Sequence, residues 1–478
     1  MIKISPIFFH GNPGEGMAER FETKMMPNSS IAVLNNISSA LGYPGVCVDE
    51  GYLGVGNTAL GVLISLIEER LRLGFQPVIL ATILIYNAQT TLSLLEQLKR
   101  LYQGRIKVGV GGQLIRVCPS AYLSRDYLDY IAVGDAEETL RKVYAGDRFS
   151  NGYVEGASKD SYALPNYDNY LALAERLEET SSYRMGPFTN IRQLTMESVR
   201  GCAWAYANQV CDMCSLQGVD LKPVFRNLAE HFWFERQMAD RWGATWCFDV
   251  SNQWLPTLRP GEMVSWLSNY CQERENYFGK EGGLSKFVYL TANSINPETA
   301  PLLKRAGIRI AYIGFDGWDK RTRLALHKPQ PSIRRVLQIC RDNGIHVKTG
   351  LVIGNGVTDS NLGELPDFVQ DVLAEFGDII RAWGNFVQII LPGSPVFERF
   401  KHQATKNKWA EVLALYRKFE EDGYFVWSDQ SRLNRLFIEH TQPVSYDRLI
   451  QARDKTEKIV AASPHTSGVT IEHGGVFK

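Results

Sequence analysis

Between about residues 31 and 150, apolar positions switch between continuous short runs and helical spacing, the signature of strands alternating with amphipathic helices. Ile31 to Leu41 precedes a short strand at Gly45 to Asp49, and a helix runs from Thr58 to Leu73. The run Pro77-Val-Ile-Leu-Ala-Thr-Ile-Leu reads as a buried strand, Thr90 to Tyr102 as a helix, and Ile106 to Val110 as a strand leading into Gly111-Gly112. A strand at Tyr130 to Val133 precedes a helix near Glu137. This rhythm predicts an α/β fold built on an open, doubly wound, Rossmann-like parallel sheet over residues 1–150.

Residues 151–190 are rich in turn formers (Ser-Asn-Gly, Leu164-Pro-Asn-Tyr-Asp-Asn-Tyr170) and lack a sustained apolar period, so they are expected to form a linker. A second alternating series occupies 191–400. Strands are predicted at Gln193 to Val199, Ala244 to Val250, Lys286 to Ala292, Ile308 to Phe315, His346 to Ile353 and Asn385 to Leu391, with helices such as Leu228 to Trp242 and Ile333 to Asn343 between them. Six such units make a partial (β/α)6 barrel of the TIM type, whose ligands belong at the carboxyl ends of the strands. Helical patterns at Trp409 to Asp422 and Tyr446 to Ala461 predict a small helical C-terminal domain over 401–478.

Composition narrows the class of molecule. The 478 residues are 45% hydrophobic and 22% charged, which suits a folded globular protein. Lys plus Arg balance Asp plus Glu at 52 each, so net charge favours neither nucleic acid nor a membrane surface. The N-terminus lacks the apolar core of a signal peptide, and no run approaches the roughly 20 apolar residues of a membrane span. The expected location is the cytoplasm.

Eight cysteines in a chain this long are too sparse for a disulfide scaffold. Cys47, Cys247 and Cys340 lie in apolar runs and read as buried small residues. Cys202, Cys211 and Cys214 are different, because they cluster in one loop just after the first predicted barrel strand. Three thiolates so spaced can hold three irons of a 4Fe-4S cubane and leave the fourth iron open, and no histidine in the loop completes a four-ligand zinc site.

That loop resembles the radical S-adenosylmethionine (radical SAM) superfamily, in which an Arg-Gly commonly precedes the first cysteine, as Arg200-Gly201 does here. Ile313-Gly314-Phe315-Asp316 resembles the fourth-strand element, with aspartate in place of the usual glutamate; Val352-Ile353-Gly354 resembles the fifth-strand glycine motif and Leu391-Pro392-Gly393-Ser394-Pro395 the sixth-strand element. The spacing Cys-x8-Cys-x2-Cys departs from the superfamily's usual Cys-x3-Cys-x2-Cys. It is similar to the long-loop subgroup of cobalamin-dependent members that includes methyltransferases acting on ribosomally made peptides or on tryptophan. Phe248-Asp249-Val250-Ser251-Asn252 and the Leu164 to Tyr170 stretch share that likeness.

The resemblance implies a cobalamin site in the N-terminal sheet, where the axial-ligand version of the fold carries Asp-x-His-x-x-Gly, Ser-x-Leu and Gly-Gly. The corresponding slots are Asp49, Gly51 and Gly54, then Thr82 and Leu84, then Gly111 and Gly112. Gly51 fills the histidine slot, so no imidazole from that motif reaches cobalt. S-adenosylmethionine contacts are implied at Met213, Asn252, Asp316 and Gly354; Met213 could equally pack, and Asn252 and Asp316 could cap helices. Trp204 and Tyr206 could wall a ligand or simply be buried.

The implied cofactors are a 4Fe-4S cluster, S-adenosylmethionine and cobalamin. The implied activity is methyl transfer, via methylcobalamin, to an unactivated carbon of a peptide or small natural-product precursor, with electrons from an external reductant such as flavodoxin or ferredoxin. A rearrangement or oxidation without net methylation is the alternative. A cluster-bearing electron-transfer or binding module is a third, more remote one.

Overall fold

A computed structural model describes residues 3–12, 27–53, 57–134, 136–145, 153–156, 163–181, 187–207, 210–215, 222–280, 282–326 and 331–464. The chain forms two compact units, Met1–Glu178 with Leu413–Asp429, and Glu179–Val412 with Gln430–Lys478.

The first unit holds a six-stranded parallel sheet of β1 (Ile4–His10), β2 (Val46–Asp49), β3 (Gln76–Thr82), β4 (Lys107–Gly111), β5 (Tyr130–Gly134) and β6 (Tyr153–Gly156), in the order β2-β1-β3-β4-β5-β6. The strand order reverses at β1/β3, and that switch point is where open α/β sheets bind ligands. The expectation that alternation starts near residue 31 overlooks β1, although Ile7, Phe8 and Phe9 are wholly buried. An unbroken apolar run covered on both faces has no period of two to reveal it, and Pro6 further disguises it.

Helix α1 (Ser29–Ala40) covers this sheet, as do α2 (Ala59–Arg72) and, after β3, α3 (Ala88–Tyr102), the last two where helices are predicted. Asn28 caps α1 by accepting from the Ile31 amide, and Thr58 caps α2 by accepting from Gly61.

The stretch expected as a linker, 151–190, is partly built into the first unit instead. It supplies β6, and residues 169–171 run beside β2: the Cys47 amide donates to the Asn169 carbonyl at 3.1 Å and the Leu171 amide to the Cys47 carbonyl at 3.1 Å. Asn35 Nδ2 donates to the carbonyls of Asn166 and Asp168 at 3.2 and 2.8 Å. The polar, turn-rich composition serves to cover the exposed hydrogen-bonding edge of β2, a need that composition alone does not reveal.

The second unit holds β7 (Gln193–Met196), β10 (Trp246–Asp249), β11 (Ser285–Leu290), β12 (Ile308–Asp316), β13 (His346–Ile353) and β14 (Ile380–Val387), all parallel and in sequential order. Sequential order is the winding of a TIM-type barrel, here with six strands. Between β7 and β10 a short antiparallel pair, β8 (Val199–Arg200) and β9 (Val224–Phe225), flanks the cysteine loop. One face of the sheet packs rings on rings: Phe248 on Phe287 at 4.5 Å between centroids and Tyr289 on Tyr312 at 5.2 Å. The other face meets helices, including α9 (Leu228–Asp240) and α10 (Pro260–Phe278).

The sixth barrel strand lies earlier than the expected Asn385 to Leu391. Arg381 and Gly384 interrupt its apolar pattern, yet Arg381 is buried because Nε donates to His346 Nδ1 at 2.9 Å and Nη2 donates to the Asp378 carbonyl at 2.7 Å. Burial, and then the Arg381 charge, push His346 down to about 4. The folded state therefore binds this proton less readily than the unfolded chain. His346 supports stability fully above about 6.5, the ordinary histidine value, and that support is lost as pH falls to about 4. In denaturant titrations at pH 7.5 and pH 4.5, His346→Gln should show a smaller loss of stability at the acidic pH than the wild type.

The C-terminal helices do not form a domain of their own. α16 (Ala410–Asp422) docks on the first unit: Tyr122 Oη donates to the Gly423 carbonyl at 2.8 Å, and Arg125 Nη2 to the Asp422 carbonyl at 2.7 Å. α17 (Trp427–Thr441) sends Asn434 Oδ1 to accept from the Ile390 amide at 2.9 Å, while α18 (Tyr446–Ala462) packs on β14 and on α14 (Asp359–Phe376). No helix among the described residues is long and apolar enough to cross a membrane.

Candidate cofactor sites

In the first unit, the predicted slots stand at the carboxyl ends of neighbouring strands. His10 is in register with Asp49, and Thr82 with Gly111. Asp49 is committed internally: Oδ1 accepts from the Gly51 amide at 3.2 Å, and Oδ2 accepts from the Asn28 amide at 3.0 Å and from the Tyr170 hydroxyl. Gly51 is buried, with its carbonyl accepting from Arg176 Nη2 at 3.3 Å. Gly54 lies outside the described residues.

Gly111-Gly112 is needed for a close approach. Gly112 has φ +112°, and a Cβ there would stand 2.5 Å from the Ile83 carbonyl oxygen; the Ile83 amide donates to the Gly111 carbonyl at 2.7 Å. Asn87, which the sequence did not single out, ties this end together. Its Nδ2 donates to the carbonyls of Gly11 and Thr82 at 3.3 and 3.1 Å, and its Oδ1 accepts from the Leu84 amide at 2.8 Å.

His10, likewise overlooked, brings an imidazole to the switch point. Asn28 Oδ1 is occupied by the Ile31 amide, so Nδ2 faces His10 Nδ1 at 3.1 Å; Nδ1 accepts, and the ring proton of the neutral imidazole sits on Nε2. Burial lowers the pKa of His10 against the pull of Asp49, which keeps the ring neutral. The Tyr52 hydroxyl, buried beside Gly51, has no hydrogen-bond partner. This orphaned buried hydroxyl, next to the strand end at Asp49, fits a bound group laid over the strand ends.

In the second unit the cysteine loop leaves β8 and is held from two directions. At its base, the Ser198 amide donates to Asp249 Oδ1 at 3.2 Å and to Ser251 Oγ at 3.0 Å, and the Val199 amide donates to Ser251 Oγ at 2.8 Å. At its tip, Cys214 closes a turn by donating to the Cys211 carbonyl at 2.9 Å. Between them, Asp212 forms a two-pronged ion pair with Arg399, and its carbonyl accepts from the Val396 amide at 3.0 Å. Arg399 and Val396 begin α15 (Pro395–Asn407), which Ser394 caps through the Phe397 amide. The sixth-strand motif therefore grips the cysteine turn across some 180 residues of chain.

Cys202, Cys211 and Cys214 are half-exposed, whereas Cys47, Cys118, Cys247, Cys271 and Cys340 are buried. Burial pushes Cys271 up to about 11 and Cys340 up to about 12, and lifts Cys47 and Cys247 well above the usual thiol range. Only the loop thiols are both reachable and grouped. Among the described residues no three His, Cys, Asp or Glu are placed to hold one metal ion. The loop thiols each serving a separate iron of a cubane is a different, wider arrangement, which this donor set fits.

Around this mouth the structure distributes the other predicted residues. Met213 is half-exposed in the cysteine turn, and Asn252 is exposed in the turn after β10. Asp316 ends β12 at φ +60°, a left-handed conformation that aspartate tolerates better than most residues. Register aligns Gly314, Gly350 and Gly384 on three neighbouring strands. A Cβ on Gly314 would stand 3.2 Å from Asp316 Oδ1, and one on Gly350 3.0 Å from the Phe386 ring, so the glycines make room for that carboxylate and that ring. Gly354 directly follows β13 at φ +151°. Trp204 is buried and Tyr206 is 62% exposed. Just after β7, Glu197 Oε2 lies 3.5 Å from Arg200 Nε, and burial pushes its carboxyl up to about 7 against that opposing charge.

Residues 256–369 match the family model described as the Radical SAM superfamily. No curated protein matches the chain. Among solved structures, the chain is similar to the radical S-adenosylmethionine methyltransferase TsrM from Kitasatospora setae with cobalamin and a [4Fe-4S] cluster bound, with TM-score 0.57 and 15% identity over 85% of this chain and 76% of that one. It is also similar to OxsB, a cobalamin-dependent S-adenosylmethionine radical enzyme, with TM-score 0.62 and 14% identity over 85% of this chain and 61% of that one. The chain thus carries a radical SAM domain within the fold that these cobalamin-dependent radical SAM proteins share.

Proposed function

We propose that this protein is a radical SAM enzyme that transfers a methyl group from S-adenosylmethionine to an unactivated carbon of a peptide or small natural-product precursor, with a bound corrin as carrier. The observation that carries the reading is the cysteine turn: three half-exposed thiols held between the base at Asp249 and the α15 clamp at Arg399, at the carboxyl ends of a parallel barrel. Cys202, Cys211 and Cys214 would hold a 4Fe-4S cluster, and the crevice ended by Asp49, Thr82, Leu84 and Gly111-Gly112 would hold the corrin. When bound, the cluster supplies single electrons to S-adenosylmethionine and the corrin carries a methyl group.

The chain's own part is to bind, orient and tune. Met213, Asp316 and Gly354 would face S-adenosylmethionine from the turn and the fourth and fifth strands, with Asn252 at the rim. Glu197, paired with Arg200 at 3.5 Å just ahead of the loop, would help to set the charge beside it. Neither Gly51 nor His10, whose Nδ1 is engaged and whose Nε2 is protonated, would offer cobalt a nitrogen lone pair. TsrM has also been solved with a tryptophan substrate and an S-adenosylmethionine analogue bound, which supports a small-molecule substrate here. A flavodoxin- or ferredoxin-like reductant in the cytoplasm completes the proposal.

With cobalamin, a low-potential reductant and its native substrate, S-adenosylmethionine labelled in its methyl group should give a labelled product and S-adenosylhomocysteine. Formation of 5'-deoxyadenosine with no label in any product would replace methyl transfer by the rearrangement or oxidation reading.

A further inference from the structure

Gln388 follows directly on β14 and is 1% exposed, yet neither its amide oxygen nor its amide nitrogen has a hydrogen-bond partner. Its backbone amide continues the sheet ladder by donating to the Ile353 carbonyl at 2.9 Å, which extends the alternation of β14 by one residue. By that alternation the side chain shares a face with Gly384 and Phe386. Phe386 meets the open position above Gly350, placing this face on the ring-lined side of the barrel that also carries Tyr312 and Tyr289. The neighbouring strand end leaves space for it: a Cβ on Gly354 would lie 2.9 Å from the Gln388 Cβ, and Ile438 of α17 closes over the same spot.

A buried carboxamide lacking both a donor and an acceptor partner is costly, because each unmet group forfeits its hydration without return. Folding alone gives no reason to place one here, since methionine has similar bulk and no such cost.

We infer that Gln388 is a ligand-reading residue whose carboxamide pairs with a planar group that offers a donor and an acceptor side by side. This inference rests on the reading of the barrel as a ligand-binding mouth, and it names a chemistry that the reading leaves open. An amide on the substrate presents such an edge, and so does an aminopyrimidine such as the base of an adenosyl compound. A simple hydrocarbon or a lone carboxylate does not.

The test uses the full chain with its cluster reconstituted, as wild type and as Gln388→Met and Gln388→Glu. Thermal unfolding without ligand is measured first, then binding of three probes by calorimetry: S-adenosylhomocysteine, S-inosylhomocysteine and N-acetyltryptophanamide. Gln388→Met should melt on the order of 2 °C higher without ligand, because an unpaired polar group is gone. It should also bind at least one probe about tenfold more weakly, as loss of a paired hydrogen-bonding edge requires. Weakened S-adenosylhomocysteine and S-inosylhomocysteine, both of which present a donor beside an acceptor to a carboxamide free to flip, with N-acetyltryptophanamide unchanged, identify the nucleobase as the partner. Weakened N-acetyltryptophanamide alone identifies a substrate amide. Gln388→Glu, which keeps the acceptor and loses the donor, should fall between wild type and Gln388→Met for the same probe. The inference is overturned if Gln388→Met melts lower than wild type, or if it binds all three probes as wild type does. Neither readout depends on methyl transfer, so failure of that activity leaves this test intact.

Discussion

Alanine at Cys202, Cys211 or Cys214 should each abolish the iron–sulfur cluster and all turnover of S-adenosylmethionine. Anaerobically reconstituted wild-type protein should carry about four irons per chain with the broad visible absorption of a 4Fe-4S centre. Each variant should lose that absorption while keeping its far-ultraviolet circular dichroism, because these thiols are half-exposed and contribute little to the core. Cys47→Ala and Cys340→Ala remove buried thiols that pack against the sheets, so they should retain iron and lose only modest stability. Retention of the cluster by any triad variant, or its loss from Cys340→Ala, would move the cluster site elsewhere. Iron analysis and electron paramagnetic resonance of the reduced protein decide between these outcomes.

The largest effect on stability should come from the ion pair behind the barrel's first strands. Lys286 Nζ lies 2.7 Å from Glu235 Oε2, and both side chains are at most 1% exposed. Around them, the Leu284 amide donates to Glu235 Oε1 at 2.8 Å, and His231 meets Tyr270 Oη at 2.7 Å and Ser198 Oγ at 3.3 Å. Burial holds His231 neutral. Lys286→Met would leave the Glu235 carboxylate enclosed without its counter-charge, a loss of about 3–5 kcal/mol. The double variant Lys286→Met/Glu235→Leu should recover most of that loss, since neither charge then has to be desolvated. Urea unfolding of the four proteins of the cycle measures it, and a single variant as stable as wild type would show that the pair is not coupled. Ser198 links this network to the base of the cysteine loop, so Lys286→Met should also lower the yield of reconstituted cluster.

The places where sequence and structure differ share a cause. Local pattern locates an element when one face is buried and the other wet, as in α3. It fails where burial is complete, as for β1, and where a buried polar residue has a partner far away in the chain. Arg381 interrupts the apolar pattern of β14, and only the structure shows that His346 takes its Nε–H and lets the strand begin at Ile380, before the expected Asn385. The polar run up to Tyr170 looked like a linker because its role, to cover the edge of β2 and hold Asp49, depends on residues more than a hundred positions earlier.

The sequence by itself determined the two α/β series and the grouping of Cys202, Cys211 and Cys214, because each follows from residue type and spacing over a few tens of residues, while Asp49, Thr82, Gly111, Asp316 and Gly354 were pointed to by the family resemblance. Only the tertiary structure decided how those pieces are held and what else stands among them. The clamp of Arg399 on Asp212, the tautomer of His10, the elevated pKa of Glu197, the orphaned amide of Gln388 and the return of α16 to the first unit all depend on contacts between distant segments. Hydrogen bonds and desolvation act through space, and a chain's local pattern carries no measure of which distant group will arrive to satisfy them.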